Sequence, residues 1–168
     1  ALNPDGAPTS FTLLLEAGVR EAANMGSDVD LKVLHGSTDA PTVGVNANGG
    51  AIVPAASYTN FTGYLSVPDN DYRIDITGAN DPSTLVAPFY VDLDGLAGGA
   101  SLVFASGFFT PSANQNGEAL GLFAALPDGN VVELTAVGGG RAQVIHNSAD
   151  PGAEVVDVYI NMLADTLF

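Results

Sequence analysis

Apolar and polar side chains alternate along several short segments of this chain of 168 residues. In Asp71–Thr77 the apolar residues Tyr72, Ile74 and Ile76 occupy every second position, and charged residues lie between them. Val156–Ile160 shows the same alternation. A period of two residues places one set of side chains on each face of an extended strand, so both segments are predicted to be half-buried β-strands.

Other short apolar runs are separated by turn-forming residues such as Asn48-Gly49-Gly50 and Pro127-Asp128-Gly129. Their spacing is close to the roughly 8–12 residues that are typical of a β-sandwich. Phe11–Met25 is the one segment that also fits a helix, and its leucines fit a buried strand equally well. The sequence therefore predicts an all-β fold, with strands at Thr12–Glu16, Leu31–His35, Thr42–Ala47, Tyr58–Ser66, Asp71–Thr77, Leu85–Leu93, Ser101–Phe109, Leu120–Leu126, Val131–Val137, Ala142–Asn147 and Val156–Ile160.

The chain contains an internal repeat. The segment KVLHGSTDAPTVGV resembles QVIHNSADPGAEVVDV, and aligning His35 with His146 gives an offset of 111 residues. At that offset the serine and the aspartate that follow each histidine coincide, and further back Gly18 meets Gly129. Matches at a fixed offset are the signature of tandem structural units.

The repeat predicts three parts: the rear of a preceding repeat in residues 1–30, a complete β-sandwich repeat in 31–141 and the front of a following repeat in 142–168. The partial repeats at both ends would leave apolar strand edges unpaired, and such edges recruit partners. We therefore expect copies of the chain to associate head to tail through their terminal strands. The side chains predicted to point into the sandwich are Val33, Val43, Val45, Ile74, Ile76, Val103 and Leu122.

HGSTDAPTVGV and the later GYLSVPDNDYRIDIT follow the pattern His-x-Ser-x-Asp-Ala-Pro-x-Val-Asp-Val and then Gly-Tyr-x-x-x-Pro-x-Gly-x-Tyr. In these motifs the chain resembles the domain-of-unknown-function family 4397, over about residues 31–105 and again from 142 to 161. The resemblance implies an immunoglobulin-like antiparallel β-sandwich that occurs in tandem in secreted and surface proteins of bacteria and archaea. Two positions depart from the pattern: Gly44 stands where the family favours Asp, and Asn70 where it favours Gly.

Composition excludes several function classes. Four Lys and Arg residues face 19 Asp and Glu residues, for a net charge of −15, which argues against nucleic acids and anionic membranes as partners. The absence of Cys removes disulfides, thiolate zinc sites and a cysteine nucleophile. The longest apolar run, Leu102–Phe109, is far shorter than the roughly 20 residues of a membrane span, so no membrane insertion is expected.

His35, Ser37 and Asp39, with their counterparts His146, Ser148 and Asp150, are the residues that could suggest catalysis. Alternate residues of one strand lie roughly 6.5–7 Å apart, so this linear spacing does not build a Ser-His-Asp triad. We expect Ser37 and Asp39 to bond to backbone N–H groups of the turn at Asp39-Ala40-Pro41, and His35 to close the strand. Metal binding by His35 with a carboxylate is the alternative.

Two other residue sets could bind ligands. Asp92 and Asp94, with Asp69, Asp71 and Asp81, could supply the oxygen ligands that calcium prefers, or they could form ordinary turns. A set of six aromatic residues could line a sugar-binding groove, or could belong to the core and to cross-strand pairs: Tyr58, Phe61, Tyr64, Tyr72, Phe89 and Tyr90. No catalytic, cofactor-binding or metal-ligating residue is predicted.

The function expected from the sequence is that of a non-enzymatic structural or adhesive module in a repetitive protein, assembled into filaments by end-to-end strand contacts. The alternative is a module that binds carbohydrate or another surface ligand, with calcium assistance as a variant. An acidic surface with few Lys residues suits salty surroundings, and the tandem modules favour a secreted, extracellular or cell-surface location.

Overall fold

The computed structural model of the chain describes residues 13–138. Two five-stranded sheets make up the fold, which confirms the predicted all-β sandwich. The first sheet has the strand order β4-β1-β7-β8-β9 and the second has the order β10-β6-β5-β2-β3. The strands are β1 (Asp28–His35), β2 (Val43–Ala47), β3 (Gly50–Ala56), β4 (Phe61–Pro68), β5 (Asp71–Gly78), β6 (Asp81–Asp92), β7 (Ala100–Ser106), β8 (Gly121–Ala125), β9 (Val131–Glu133) and β10 (Thr135–Ala136).

Strand β5 illustrates how the alternating pattern becomes a sheet face. Ile76 is buried, whereas Asp71 and Arg73 are exposed, as a two-residue period requires. Ile74 lies opposite Phe89 of β6 in the antiparallel register. Phe89 is only 2% exposed, and burial of such a side chain contributes about 1.5–3 kcal/mol to stability.

The core lies between the sheets and contains the side chains that were predicted to point inward. Val43, Val45, Ile76 and Leu122 are buried and belong to one cluster with residues of both sheets. The other three predicted residues, Val33, Ile74 and Val103, are half-buried and line a small space between the sheets.

One pairing departs from the antiparallel expectation. β1 and β7 run parallel, with Lys32 opposite Leu102 and Leu34 opposite Phe104, so the first sheet is mixed. Of the five strands between β1 and β7, only β4 lies in the first sheet and the other four lie in the second, and the chain returns beside β1 in the same direction. The immunoglobulin-like description stays a prediction.

Three features of the strand assignment differ from the sequence prediction. The single strand predicted at Val131–Val137 is two strands, β9 in the first sheet and β10 in the second. β3 was missed because Pro54 lies within it, but β3 is an edge strand, where a proline removes no ladder hydrogen bond from a central position. The predicted strand Thr12–Glu16 is wrong for residues 13–16, which have no regular structure, and residues 13–25 do not form the alternative helix.

Some predictions fall outside the described residues. The strands at Ala142–Asn147 and Val156–Ile160 lie there, and so do His146, Ser148 and Asp150. The division at residues 30 and 141 therefore stays a prediction. Between residues 13 and 138 no helix is long and apolar enough to cross a membrane.

Candidate functional site

His35 ends strand β1 and closes the turn that follows. Its side chain is 3% exposed, and its Nε2–H donates to the carbonyl oxygen of Pro41 at 3.0 Å. The imidazole ring also contacts the Tyr58 ring edge-on, with 6.3 Å between the centroids. Because a carbonyl only accepts, this contact commits Nε2 as a donor and turns it away from Ser37.

Ser37 is fully buried and bonds to a distant loop. Its hydroxyl donates to the carbonyl oxygen of Gly107 at 2.8 Å, across a sequence separation of 70 residues. Gly107 has φ +90°, and a Cβ there would lie 2.2 Å from the carbonyl oxygen of Ala119, so only glycine fits. The hydroxyl therefore fixes this tight part of the loop and has no contact with His35 among the hydrogen bonds of residues 13–138.

Asp39 binds the same loop with both carboxylate oxygens. Oδ1 accepts from the backbone N–H of Phe109, and Oδ2 accepts from the N–H of Thr110, each at 2.8 Å. The side-chain Nδ2 of Asn114 donates to Oδ2 at 2.8 Å as well. Burial raises the pKa of Asp39, but the N–H groups of Thr110 and Phe109 outweigh burial and hold that pKa below its ordinary value.

These contacts correct the expected partners of Ser37 and Asp39. The principal partners lie in the loop after β7 rather than in the turn Asp39-Ala40-Pro41, and the Ser37–Asp39 contact itself is long at 3.4 Å. We call His35, Ser37 and Asp39 with their partners in residues 107–114 the loop clamp. Ser37 and Asp39 join two loops at one end of the sandwich, and His35 bonds through Nε2 to Pro41 of the first loop, while its buried Nδ1 has no hydrogen-bond partner among the described residues.

A second cluster holds the segment before β1 against the first sheet. Arg20 forms an ion pair with Asp30 of β1, and Lys32 of β1 forms one with Glu16. Both cations also lie over the ring of Tyr64 on β4, with Arg20 4.2 Å and Lys32 5.2 Å from its centroid. We call these five residues the junction patch; it uses two of the four Lys and Arg residues in the chain.

Asp30 is the most deeply placed charge in the junction patch, with 1% exposure. Burial raises the pKa of Asp30, whereas hydrogen bonds from the Asn24 N–H and from Arg20, with the positive charge of Arg20, lower it, and the pKa lies below its ordinary value. A buried carboxylate that loses its cation is strongly destabilising. Removal of Arg20 from its position beside Asp30 would therefore lower the stability of the sandwich.

The backbone reinforces the same attachment. Ala22 forms an isolated antiparallel bridge with Gly99, and the Ala23 N–H donates to the Gly98 carbonyl at 2.8 Å. Residues 16–24 are therefore tied to the sandwich at several points along their length. This attachment was not predicted from the sequence, although the clustering of scarce cations with acidic residues between 16 and 32 was the available signal.

Of the acidic residues considered for calcium, Asp71 and Asp92 lie opposite each other on β5 and β6, and the contacts of the others are those of turns. Asp92 accepts from the Asp94 N–H at 3.0 Å, and Asp81 accepts from the hydroxyls of Ser83 and Thr84, as in ordinary turns. In the part of the chain that the structure describes, no three His, Asp or Glu side chains form a group that could hold a metal ion.

The aromatic residues considered for sugar binding are mostly covered. Phe89 is buried, and Tyr90 is the only exposed one, at 43%. The remaining four are half-buried: Tyr58, Phe61, Tyr64 and Tyr72.

Comparison with known proteins gives one match. The family described as "Domain of unknown function (DUF4397)" matches residues 29–115, which is more than half of the chain. The matched range begins at β1 and includes the loop clamp. No curated protein and no solved structure matches the chain significantly.

Proposed function

The chain belongs to the DUF4397 family of domains of unknown function, and from this premise we propose that it is a non-enzymatic structural or adhesive module of a repetitive extracellular or cell-surface protein. Copies of the module would associate head to tail into filaments. The observation that carries the proposal is the junction patch, because a module of this kind must hold the chain that enters it in a fixed orientation.

The junction patch supports a rigid connection rather than a flexible linker. Residues 16–24 bond to β1 through two ion pairs and to the loop before β7 through backbone hydrogen bonds. A flexible linker keeps its polar groups in water and makes few contacts with the domain that it enters. Here one carboxylate of the attachment, Asp30, is buried, so release of the segment would leave that charge without its cation.

The conformation of two glycines supports the repeat. Gly18 has φ +76° and Gly129 has φ +87°, and these are the positions that coincide at the offset of 111 residues. Glycine adopts this left-handed conformation without the steric cost that other residues incur. The same left-handed φ at aligned positions is what the rear parts of two copies of one module would have.

The loop clamp supports a non-enzymatic role. Catalytic groups are commonly held with unused hydrogen-bonding capacity toward a cleft. Ser37 and Asp39 instead direct their hydrogen bonds to the loop at residues 107–114, and Ser37 has no exposed surface.

Backbone NMR relaxation on the whole chain tests the rigid connection. Residues 16–24 should tumble with the sandwich, and Arg20→Gln should increase their fast motion while the strands remain unchanged. Arg73→Gln is the matched control, because it removes the exposed Arg73–Asp75 pair of β5 and leaves the junction patch intact. Independent motion of residues 16–24 in the unaltered chain would contradict the proposal.

The proposed location needs a separate experiment. Antibodies raised against the sandwich should label intact cells of the source organism, or should detect the protein in the medium. Labelling that appears only after the cells are opened would contradict an extracellular or surface role, whatever the relaxation data show.

A further inference from the structure

An apolar cavity of about 440 Å³ opens between the two sheets at the end where β1 begins. We call it the end cavity. Its size falls within the range of roughly 300–1,000 Å³ that is usual for binding pockets. Among the side chains that line its walls are Val29, Leu31, Val91, Leu93, Val103 and Leu134.

The mouth of the end cavity is itself apolar and exposed. Leu96 is 49% exposed and Val132 is 47% exposed, and both line the cavity. Exposed apolar side chains that surround an apolar cavity mark an interaction site more strongly than isolated ones do.

The opposite end of the same sandwich presents an aromatic side chain. Phe109 is 45% exposed and follows the last residue of β7, whereas the end cavity is lined by Ala100 and Ser101 at the start of that strand. Its neighbour Phe108 is turned the other way and covers Gly117, where an added Cβ would lie 2.6 Å from the ring.

The loop that carries Phe109 is held in place. Asp39 of the loop clamp accepts from the Phe109 N–H, and Phe108 exchanges backbone hydrogen bonds with Glu118 and Leu120 on the other side of the loop. An aromatic side chain on a loop that is already ordered loses little conformational entropy when it binds, which is the usual situation of an interface anchor.

We propose that Phe109 of one copy of this chain inserts into the end cavity of another copy, so that copies associate head to tail. The inference rests on the proposed function, for which it names the contact between successive modules. The position of the end cavity agrees with a contact between successive modules. Gly99 lines the cavity and also pairs with Ala22, so the cavity adjoins the place where residues 16–24 attach to the sandwich. An aromatic side chain on one end and a cavity on the other give a heterologous contact, which propagates into open chains.

Two single variants separate the halves of this contact. Phe109→Ala removes the inserted side chain. Ala124→Leu fills the end cavity, because Ala124 lines it on the same face of β8 as the buried Leu122. Ala125→Leu is the matched control, because the next residue along β8 faces the other side of the sheet.

The measurement is the association state of the whole chain by sedimentation velocity up to millimolar concentration. The unaltered chain and Ala125→Leu should form dimers and longer species. Phe109→Ala and Ala124→Leu should each associate at least about tenfold more weakly, as expected on loss of a central aromatic anchor. An equimolar mixture of the two variants should form heterodimers that do not grow further, because each variant keeps one intact half.

Circular dichroism and thermal unfolding of each variant establish that the sandwich is folded. A monomeric unaltered chain at millimolar concentration would overturn the inference. So would association of folded Phe109→Ala or Ala124→Leu chains with the strength of the unaltered chain. A monomeric unaltered chain would also contradict the head-to-tail association in the proposed function, whereas association that survives in folded Phe109→Ala and Ala124→Leu chains would overturn only the inference. The relaxation experiment on residues 16–24 tests the rigid connection separately.

Discussion

Asp39 and Thr110 lie 71 positions apart in the sequence, yet the carboxylate Oδ2 of Asp39 accepts from the Thr110 backbone N–H at 2.8 Å. The contact shows that the His-x-Ser-x-Asp motif holds two loops of the fold together. Ser37 and Asp39 join the loop after β1 to the loop after β7 at one end of the sandwich, and His35 closes the first of these loops through Pro41. These two strands are parallel neighbours in the first sheet, so their following loops emerge side by side.

Asp39→Asn should lower the free energy of unfolding by about 1.5–3 kcal/mol near pH 7, because two backbone N–H groups lose a charged acceptor. The folded-state pKa of Asp39 is depressed, so its contribution is present above the unfolded pKa of about 3.9 and is lost as the pH falls through the folded value. Urea unfolding near pH 7 and near pH 3 measures both effects. The difference in free energy of unfolding between Asp39→Asn and the unaltered chain should shrink in acid. An equal difference at both pH values would refute the stabilising role of the Asp39 carboxylate. Asp94→Asn, at an exposed position, is the control.

Ser37→Ala should cost about 1–3 kcal/mol of stability, because the Gly107 carbonyl loses the hydroxyl donor of the buried Ser37. The control is Ser57→Ala, which removes a hydroxyl paired with Thr42 at an exposed site and should change stability by less than about 0.5 kcal/mol. Thermal unfolding measures the two losses. A folded Ser37→Ala chain that lost an ester-hydrolysing activity present in the unaltered chain would contradict the structural role of Ser37.

Ile74→Ala should destabilise the chain by about 2–5 kcal/mol, as large-to-small changes at packed positions do. Ile74 contacts both hydrophobic clusters, so its loss would enlarge the space that already lies between the sheets. Leu85→Ala is the matched comparison at an exposed position of β6, where Leu85 is 50% exposed. Equal losses for the two variants in urea unfolding would show that the inward register of β5 is wrong.

Gly44→Asp introduces the residue that the family pattern favours, and we expect it to destabilise this chain. A Cβ at Gly44 would lie 2.8 Å from the Thr77 hydroxyl and 3.3 Å from the Pro54 carbonyl, so overpacking should cost at least about 1–3 kcal/mol. At Gly63 of β4 no atom would meet a Cβ within 4 Å, so Gly63→Ala should be tolerated. Gly44→Asp with unaltered stability would mean that β2 shifts to admit the side chain.

The local features of the fold were predictable because strand formation depends on neighbouring residues. The alternation in Asp71–Thr77 gave β5 and its buried face, and the turn residues gave most strand ends. The same local reasoning missed β3, because Pro54 weakens a strand signal unless the strand is known to lie at an edge.

The candidate site was only half predictable. The sequence identified His35, Ser37 and Asp39 as a set, but the principal partners of Ser37 and Asp39 lie about 70 residues away, in a loop with no motif of its own. The junction patch was missed for the same reason, since nothing local in Arg20 or Glu16 specifies which strand it will meet.

The sequence by itself therefore determined the all-β class, the inward faces of the strands and the family motif, all of which follow from the order of neighbouring residues. Tertiary structure alone decided that β1 and β7 run side by side in parallel, and this placed Asp39 against Thr110. It also decided that the sheets leave an apolar cavity at one end while Phe109 is exposed at the other. Pairings between distant strands depend on how all the apolar faces are buried together, and the spacing of residues along one segment does not record that arrangement.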